Sequence, residues 1–290
     1  MPTPGPFTTG TARSRGLTRA QLRGPQFLPL VHGVRVQLDD AVDQAGRLRL
    51  LAAILPADAA FSHRTAAALL GAPTDHPTRP HVALTPRRVL PQHAGVVVHG
   101  RLLRLDDVVE HEGMRVTSGP QTFLDLAAVL PAPELVAIGD ALWRAGHLDP
   151  VRLATRLARA DRVRGVVRAR ACAPRLSPLA QSRPESLMRC WLADSDLPEP
   201  QPQVAVCDRW GRVVAHGDLG YRRWKVLLEY EGRQHADVDQ FGRDIDRYSL
   251  MAADGWLVLR FAGKHLGGPW TVVERTRGAL LSRGWYPGQS

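Results

Sequence analysis

Three carboxylates between residues 213 and 235 sit where two neighbouring strands could share one metal ion: Asp218, Glu229 and Glu231. Val226, Leu228 and Tyr230 alternate with Leu227, Glu229 and Glu231, so a period of two puts both glutamates on one strand face and the tyrosine on the other. Residues 213–218 are also strand-like, and Arg222-Arg223 reads as a hairpin turn that would lay Asp218 beside Glu229. Two like charges at about 4 Å cost on the order of 1 kcal/mol in water and about 4 kcal/mol near a protein surface, so the patch calls for a partner. A hard divalent cation with oxygen ligands, Mg2+ or Mn2+, would supply it. A raised carboxyl pKa, or a solvated strand end balanced by Arg222, Arg223 and Arg233, would serve as well.

Around these acids, residues 184–285 resemble the PD-(D/E)XK restriction-endonuclease-like superfamily, and within it the very-short-patch-repair-like domains. The matching features are Arg183-Pro184-Glu185 opening a helix, the Asp218-Leu219 strand end, Leu228-Glu229-Tyr230-Glu231-Gly232 followed by Gln234-His235, and Asp246-Arg247 leading to the run from Gly255 to Phe261. The resemblance implies a mixed sheet flanked by helices in αβββαβ order and a magnesium ion held by Asp218, Glu229 and the carbonyl of Tyr230. It further implies auxiliary roles for Glu231 and Glu185, with Gln234 and His235 orienting water or phosphate. Glu231 stands where the motif has its water-orienting lysine, which leaves Lys225 or His235 to substitute. Glu185 also reads as a negative charge at a helix N-terminus.

The elements that must position this site fit an α+β protein of two domains. A chain of 290 residues, 44% hydrophobic and 23% charged, is long enough for two cores. No apolar run reaches the roughly 18 residues a membrane span needs, and a cytoplasmic, membrane-free location is expected. Cys172, Cys190 and Cys207 form no Cys-x-x-Cys pair and read as isolated thiols rather than structural zinc ligands. The net charge of +10 is uneven: residues 185–290 hold 14 basic and 14 acidic residues, so residues 1–184 carry the whole excess. Nine arginines face the single Asp161 between residues 150 and 184, an arrangement that favours approach to DNA.

In chain order, residues 1–15 read as a disordered tail. Residues 17–23 form a short helix with Thr18 as cap, and residues 30–36 a strand pair resembling the winged-helix-like start of AbiEi-type antitoxins. Residues 47–55 and 62–70 read as helices, the second opened by Phe61-Ser62-His63, a segment that also resembles the AbiEi family. Ser62 reads as a helix cap rather than a catalytic partner of His63, because neighbours on a helix do not face each other. Strands follow at 81–85, 95–99 and 114–117. Ser118 and Gln121 then fit a capping box on a helix whose Asp125 could bind a partner but reads by default as a solvated residue. A helix at 133–145 precedes a basic one at 151–170, where Arg152, Arg156 and Arg159 form a stripe that is either solvated or tracks phosphates.

The domains are thus an AbiEi-like region at 16–170, a linker at 171–184 and the nuclease-like domain at 185–290. The function expected is magnesium-dependent hydrolysis of DNA phosphodiesters, with Arg152, Arg156, Arg159, Arg233, Arg243 and Arg247 on the nucleic acid. The competing expectation is a non-catalytic, antitoxin-like repressor on a degenerate nuclease fold, favoured by Glu231. RNA or branched DNA as substrate, a homodimer, and a toxin or regulatory partner stay open.

Overall fold

The computed structural model describes residues 7–8, 12, 16–18, 20–31, 34–37, 43–86, 95–207, 210–232 and 248–289. The chain is a mixed α/β protein, and its contacts divide it into two compact units: residues 1–129 with 145–171, and 130–144 with 172–290. Among the described residues no helix is long and apolar enough to cross a membrane.

The first unit begins with a small antiparallel sheet in the order β1-β3-β2, from β1 (Phe7–Thr8), β2 (Phe27–Val31) and β3 (Val34–Gln37). Residues 7 and 8 therefore pair with Val34 and Arg35 rather than fraying, although they lie in the expected tail. The short helix expected at 17–23 is a 3-10 turn at Gln21–Arg23, and the Thr18 hydroxyl does accept from the Gln21 N–H (3.2 Å).

The main sheet of this unit has the order β6-β5-β4-β8-β7. Its strands are β4 (Ala60–Phe61), β5 (His81–Leu84), β6 (Val97–Gly100), β7 (Val108–His111) and β8 (Met114–Thr117). Strands β5 and β6 run parallel, with His81 opposite Val97 and Ala83 opposite His99. Helix α1 (Gln44–Ala52), capped by Asp43, precedes the sheet in the chain, and α2 (His63–Leu69) lies between β4 and β5. Every residue of α3 (Gly119–Ala127) is buried. A helix enclosed on all sides must pair its polar residues internally, so Asp125 is not a solvated residue.

The basic helix expected at 151–170 is two helices, α5 (Pro150–Ala158) and α6 (Val166–Cys172). Between them Arg162 and Gly165 take φ of 53° and 86°. At Gly165 a Cβ would lie 2.5 Å from the Ala128 nitrogen, so the close approach of α3's end needs glycine there.

The second unit takes in α4 (Ala132–Arg144), which the sequence places with the preceding region. Asp140 on α4 is fully buried and accepts from the Ser177 N–H, the Ser186 hydroxyl and Arg189, each at 2.7 Å. These bonds tie α4 to α7 (Arg183–Ala193) and to the segment at 171–184, where α6 ends and a 3-10 turn, Ala173–Arg175, follows.

Next come β9 (Gln201–Cys207), β10 (Val213–Tyr221), β11 (Val226–Glu231), a helical stretch at residues 248–253, β12 (Leu257–Ala262) and α8 (Trp270–Ser282). The sheet order is β12-β11-β10-β9, antiparallel through β9, β10 and β11, with β12 parallel to β11. Helix, three strands, helix and strand is the element order expected for this half. Val226, Leu228 and Tyr230 face a core with Phe261 and Trp285, while Leu227 packs on Met251 and Tyr248 on the other face. That split is the alternation of apolar residues in β11 realised in space.

Candidate functional site

The acidic strand pair forms as its sequence requires. Strands β10 and β11 join through the 3-10 turn Arg222–Trp224, and Leu219 opposes Leu228. Asp218 then lies against β11, where its Oδ2 accepts the Tyr230 N–H at 2.7 Å. Glu229 is buried and its Oε2 accepts from the Tyr248 hydroxyl (2.7 Å). That hydroxyl lies 3.4 Å from Glu231, which forms an ion pair with Arg260; the Arg260 guanidinium stacks 4.6 Å over the Tyr248 ring.

Glu185 sits apart in a cap of its own. Its carboxylate accepts from the Ser182 hydroxyl and the Gln181 N–H (2.8 Å each) and from Gln203 (3.2 Å), while the Ser182 side chain caps the N-terminus of α7. Lys225 does not share the glutamate face: it adopts φ of 50° beyond the turn, and its Nζ donates to the Asp254 carbonyl at 2.6 Å. Asp218, Glu229 and Glu231 are not drawn together as a set with all ligand atoms within 4.8 Å; among the described residues only one other group meets that measure. As arranged, these acids are held by an amide, a phenol and a guanidinium. Arg233, Gln234, His235, Arg243 and Arg247 lie outside the described residues.

The arginine stripe divides in two. Arg152 is exposed beside Asp149. Arg156, whose side chain is 11% exposed, bonds Asp107 (3.0 Å) and the Gln121 carbonyl oxygen (2.7 Å). Arg159 bonds Asp106 at 2.9 Å and also Asp107. Two of the three expected phosphate ligands are therefore structural counter-ions of the 3-10 turn Leu105–Asp107. The capping box expected of Ser118 and Gln121 is absent, because Gln121 spends its amide on Arg156 and on Asp125, its Nε2 donating to Oδ1 at 2.9 Å.

A cluster not singled out in the sequence lies beside this network. His63 opens α2, His81 starts β5 and His99 lies near the end of β6, and one ligand atom from each falls within 4.8 Å of the others. The His81 Nδ1 and His99 Nε2 atoms are 3.0 Å apart, and the rings of His63 and His99 stack with centroids 3.7 Å apart. Ser62 holds the N-cap position without capping; its Oγ lies 3.0 Å from His63 Nδ1. Neighbours face each other here because His63 takes φ of 52°, a left-handed backbone rare outside glycine. Beyond Ser62, Asp125 Oδ2 is buried with no hydrogen-bond partner among the described residues and lies 3.9 Å from His63 Nδ1, while Oδ1 accepts from Arg101 (3.1 Å).

Burial, reinforced by the other two imidazoles and Arg101, lowers His63 to about 3. Burial, then His81 and Arg101, lowers His99 to about 4. Burial, then Arg64 and Arg79, lowers His81. All three rings are neutral at pH 7 and keep a lone pair each. The signal in the sequence was slight: two histidines on successive strands, in phase with a Ser-His pair.

Residues 58–173 match the family model of the AbiEi antitoxin C-terminal domain. The matched span runs from β4 to α6 and contains the histidine cluster, so the AbiEi-type resemblance holds for this part of the chain. The structure of RV2827C protein from Mycobacterium tuberculosis is similar at 18% identity, with a TM-score of 0.41, over 60% of this chain and 77% of that one. No curated protein matches the chain.

Proposed function

We propose that the protein is a non-catalytic regulator of the antitoxin type, which binds DNA directly and acts with a toxin or regulatory partner. The carrying observation is the match of residues 58–173 to an antitoxin domain. The acidic strand supports it in a second way: Glu231, at the position of the motif lysine, is neutralised by Arg260 and backed by Tyr248. On this reading the exposed Arg152, Arg162 and Arg164 approach phosphates.

The test is duplex DNA binding in the presence of a chelator, followed by fluorescence anisotropy across a salt series. Binding without magnesium is expected, and each phosphate-contacting arginine changed to glutamine should reduce the slope of log K against log salt by about 0.9. No binding in chelator would refute the proposal.

One observation favours a second reading, metal-dependent phosphodiester hydrolysis by the second unit. The pairing of β10 with β11 does set Asp218 beside the Glu229-Tyr230 segment. A cation on Asp218, Glu229 and the Tyr230 carbonyl could leave the bond from the Tyr230 N–H to Asp218 in place, because a carboxylate keeps further lone pairs. Nicking of supercoiled DNA in Mg2+ or Mn2+, lost in Asp218→Ala, would establish that reading; its absence in wild-type protein would remove it.

A further inference from the structure

We propose that His63, His81 and His99 bind one late first-row divalent cation, zinc in the first instance, with a fourth position open to water or an anionic oxygen. This rests on the first unit's geometry alone and is independent of the regulator reading.

Spacing is the first support. Two nitrogens on a tetrahedral zinc, each about 2.05 Å from the metal, lie roughly 3.3 Å apart. The facing His81 and His99 nitrogens are 3.0 Å apart, close to ligand spacing, and binding would also require the His63 ring to swing out of its 3.7 Å stack on His99. Two of the three ligands stand on paired strands whose parallel register puts His81 and His99 on one face, and the third is fixed at a helix start. Ligands on such elements are held more precisely than ligands on loops.

The second support is Asp125. Its Oδ2 is wholly buried, has no hydrogen-bond partner among the described residues and lies 3.9 Å from His63 Nδ1. A metal-bound histidine usually gives its other ring N–H to a carboxylate, which fixes the tautomer and strengthens the ligand. Here Nδ1 would point toward Asp125 and Ser62, leaving Nε2 for the ion. A plain hydrogen bond between neutral His81 and His99 would explain their separation, but not the idle carboxylate oxygen behind His63.

Donor chemistry sets the class of ion. Three imidazoles without thiolate or carboxylate suit zinc, nickel or copper and are poor ligands for magnesium or calcium. Among the described residues no fourth His, Cys, Asp or Glu joins the group, which is the three-ligand pattern of open sites. Arg101 lies beside His63 and His99, so an anionic fourth ligand is favoured over a cationic one.

The experiment uses the full chain without a histidine tag, stripped with a chelator and titrated with Zn2+, Co2+ and Mg2+. Expected are one zinc per chain by elemental analysis, a rise in Tm with zinc and none with magnesium, and the visible absorption of low-coordinate cobalt. His81→Gln and His99→Gln should abolish uptake. Asp125→Asn, a positioning change, should weaken affinity about 10- to 100-fold at unchanged stoichiometry. No uptake by the wild-type protein, or full uptake in both histidine variants, would overturn the proposal. If the histidine variants fail to fold by circular dichroism, imidazole nitrogen resonances of the wild-type protein decide: three must shift on adding zinc, and unchanged resonances refute the site.

Discussion

Arg156→Ala separates a structural arginine from a phosphate ligand. Arg156 and Asp107 have side chains 11% and 3% exposed, and the same guanidinium satisfies Gln121. Removing one member of a buried ion pair costs about 3–5 kcal/mol, because the other charge stays buried. Asp107 keeps Arg159 and the Arg104 N–H (2.9 Å), which lowers that cost, whereas the orphaned Gln121 oxygen adds about 1–3 kcal/mol. The net expectation is a loss of about 3 kcal/mol. In a unit of this size 1 kcal/mol moves Tm by about 2–4 °C, so Tm should fall by about 6–12 °C. Arg152→Ala, at a 79% exposed side chain, should stay within about 0.5 kcal/mol. Urea unfolding followed by circular dichroism measures both, reading the transition of the first unit, with DNA binding measured on folded samples. An Arg156→Ala protein of wild-type stability that binds DNA more weakly would refute the structural assignment and restore the unbroken basic stripe.

Three further outcomes are expected. In metal-free protein the histidines titrate at 6.5 when unfolded but at about 3 for His63 and about 4 for His99 when folded. The unfolded chain therefore binds more protons in that window, so their contribution is complete above pH 6.5 and is lost as pH falls toward 4; His99→Gln should flatten the slope of urea stability against pH there. Gly165→Ala should destabilise the first unit by on the order of 3 kcal/mol, since its φ of 86° and the Ala128 nitrogen 2.5 Å from the new Cβ both oppose it; a thermal melt equal to wild type would contradict that close approach. Asp140→Ala should cost about 3–5 kcal/mol in the second unit by stranding Arg189, whose side chain is 11% exposed, and wild-type urea stability would contradict the network.

What could be read from the sequence followed from local periodicity. The alternation in β11, the turn at Arg222-Arg223 and the apolar run of β12 each report on their own residues, while the order of elements in the second half was what the resemblance implied. What could not be read depended on partners far along the chain. Arg156 and Arg159 have the i, i+3 spacing of a solvated face, yet their counter-ions come from Asp106 and Asp107, some fifty residues earlier. Asp125 has the look of a polar position on an ordinary helix, and only the enclosure of α3 turns it into a buried acid with one idle oxygen. Ser62 and His63 defeat the rule that adjacent helix residues diverge because His63 leaves the helical backbone region.

The same long-range pairing changes what the net charge means. The excess of +10 lies wholly in residues 1–184, which on composition alone favours a broad phosphate-binding surface. The net value already subtracts the acids, so ion pairing leaves it unchanged, but pairing decides which arginines stand beside carboxylates inside the first unit. Arg156 and Arg159 neutralise the Asp106-Asp107 turn, and Arg101 holds Asp125. Arg168 donates to the Ala127 carbonyl at the end of α3, and Arg170 to the carbonyls of Leu157 and Ala160 at the end of α5. Helix C-termini carry exposed carbonyls and partial negative charge, so arginines there complete the helices. On the proposed regulator reading, the exposed Arg152, Arg162 and Arg164 are the arginines set for phosphates. A protein using three phosphate contacts should show a salt slope near 2.7 in magnitude, far shallower than one in which all nine arginines between residues 150 and 184 took part.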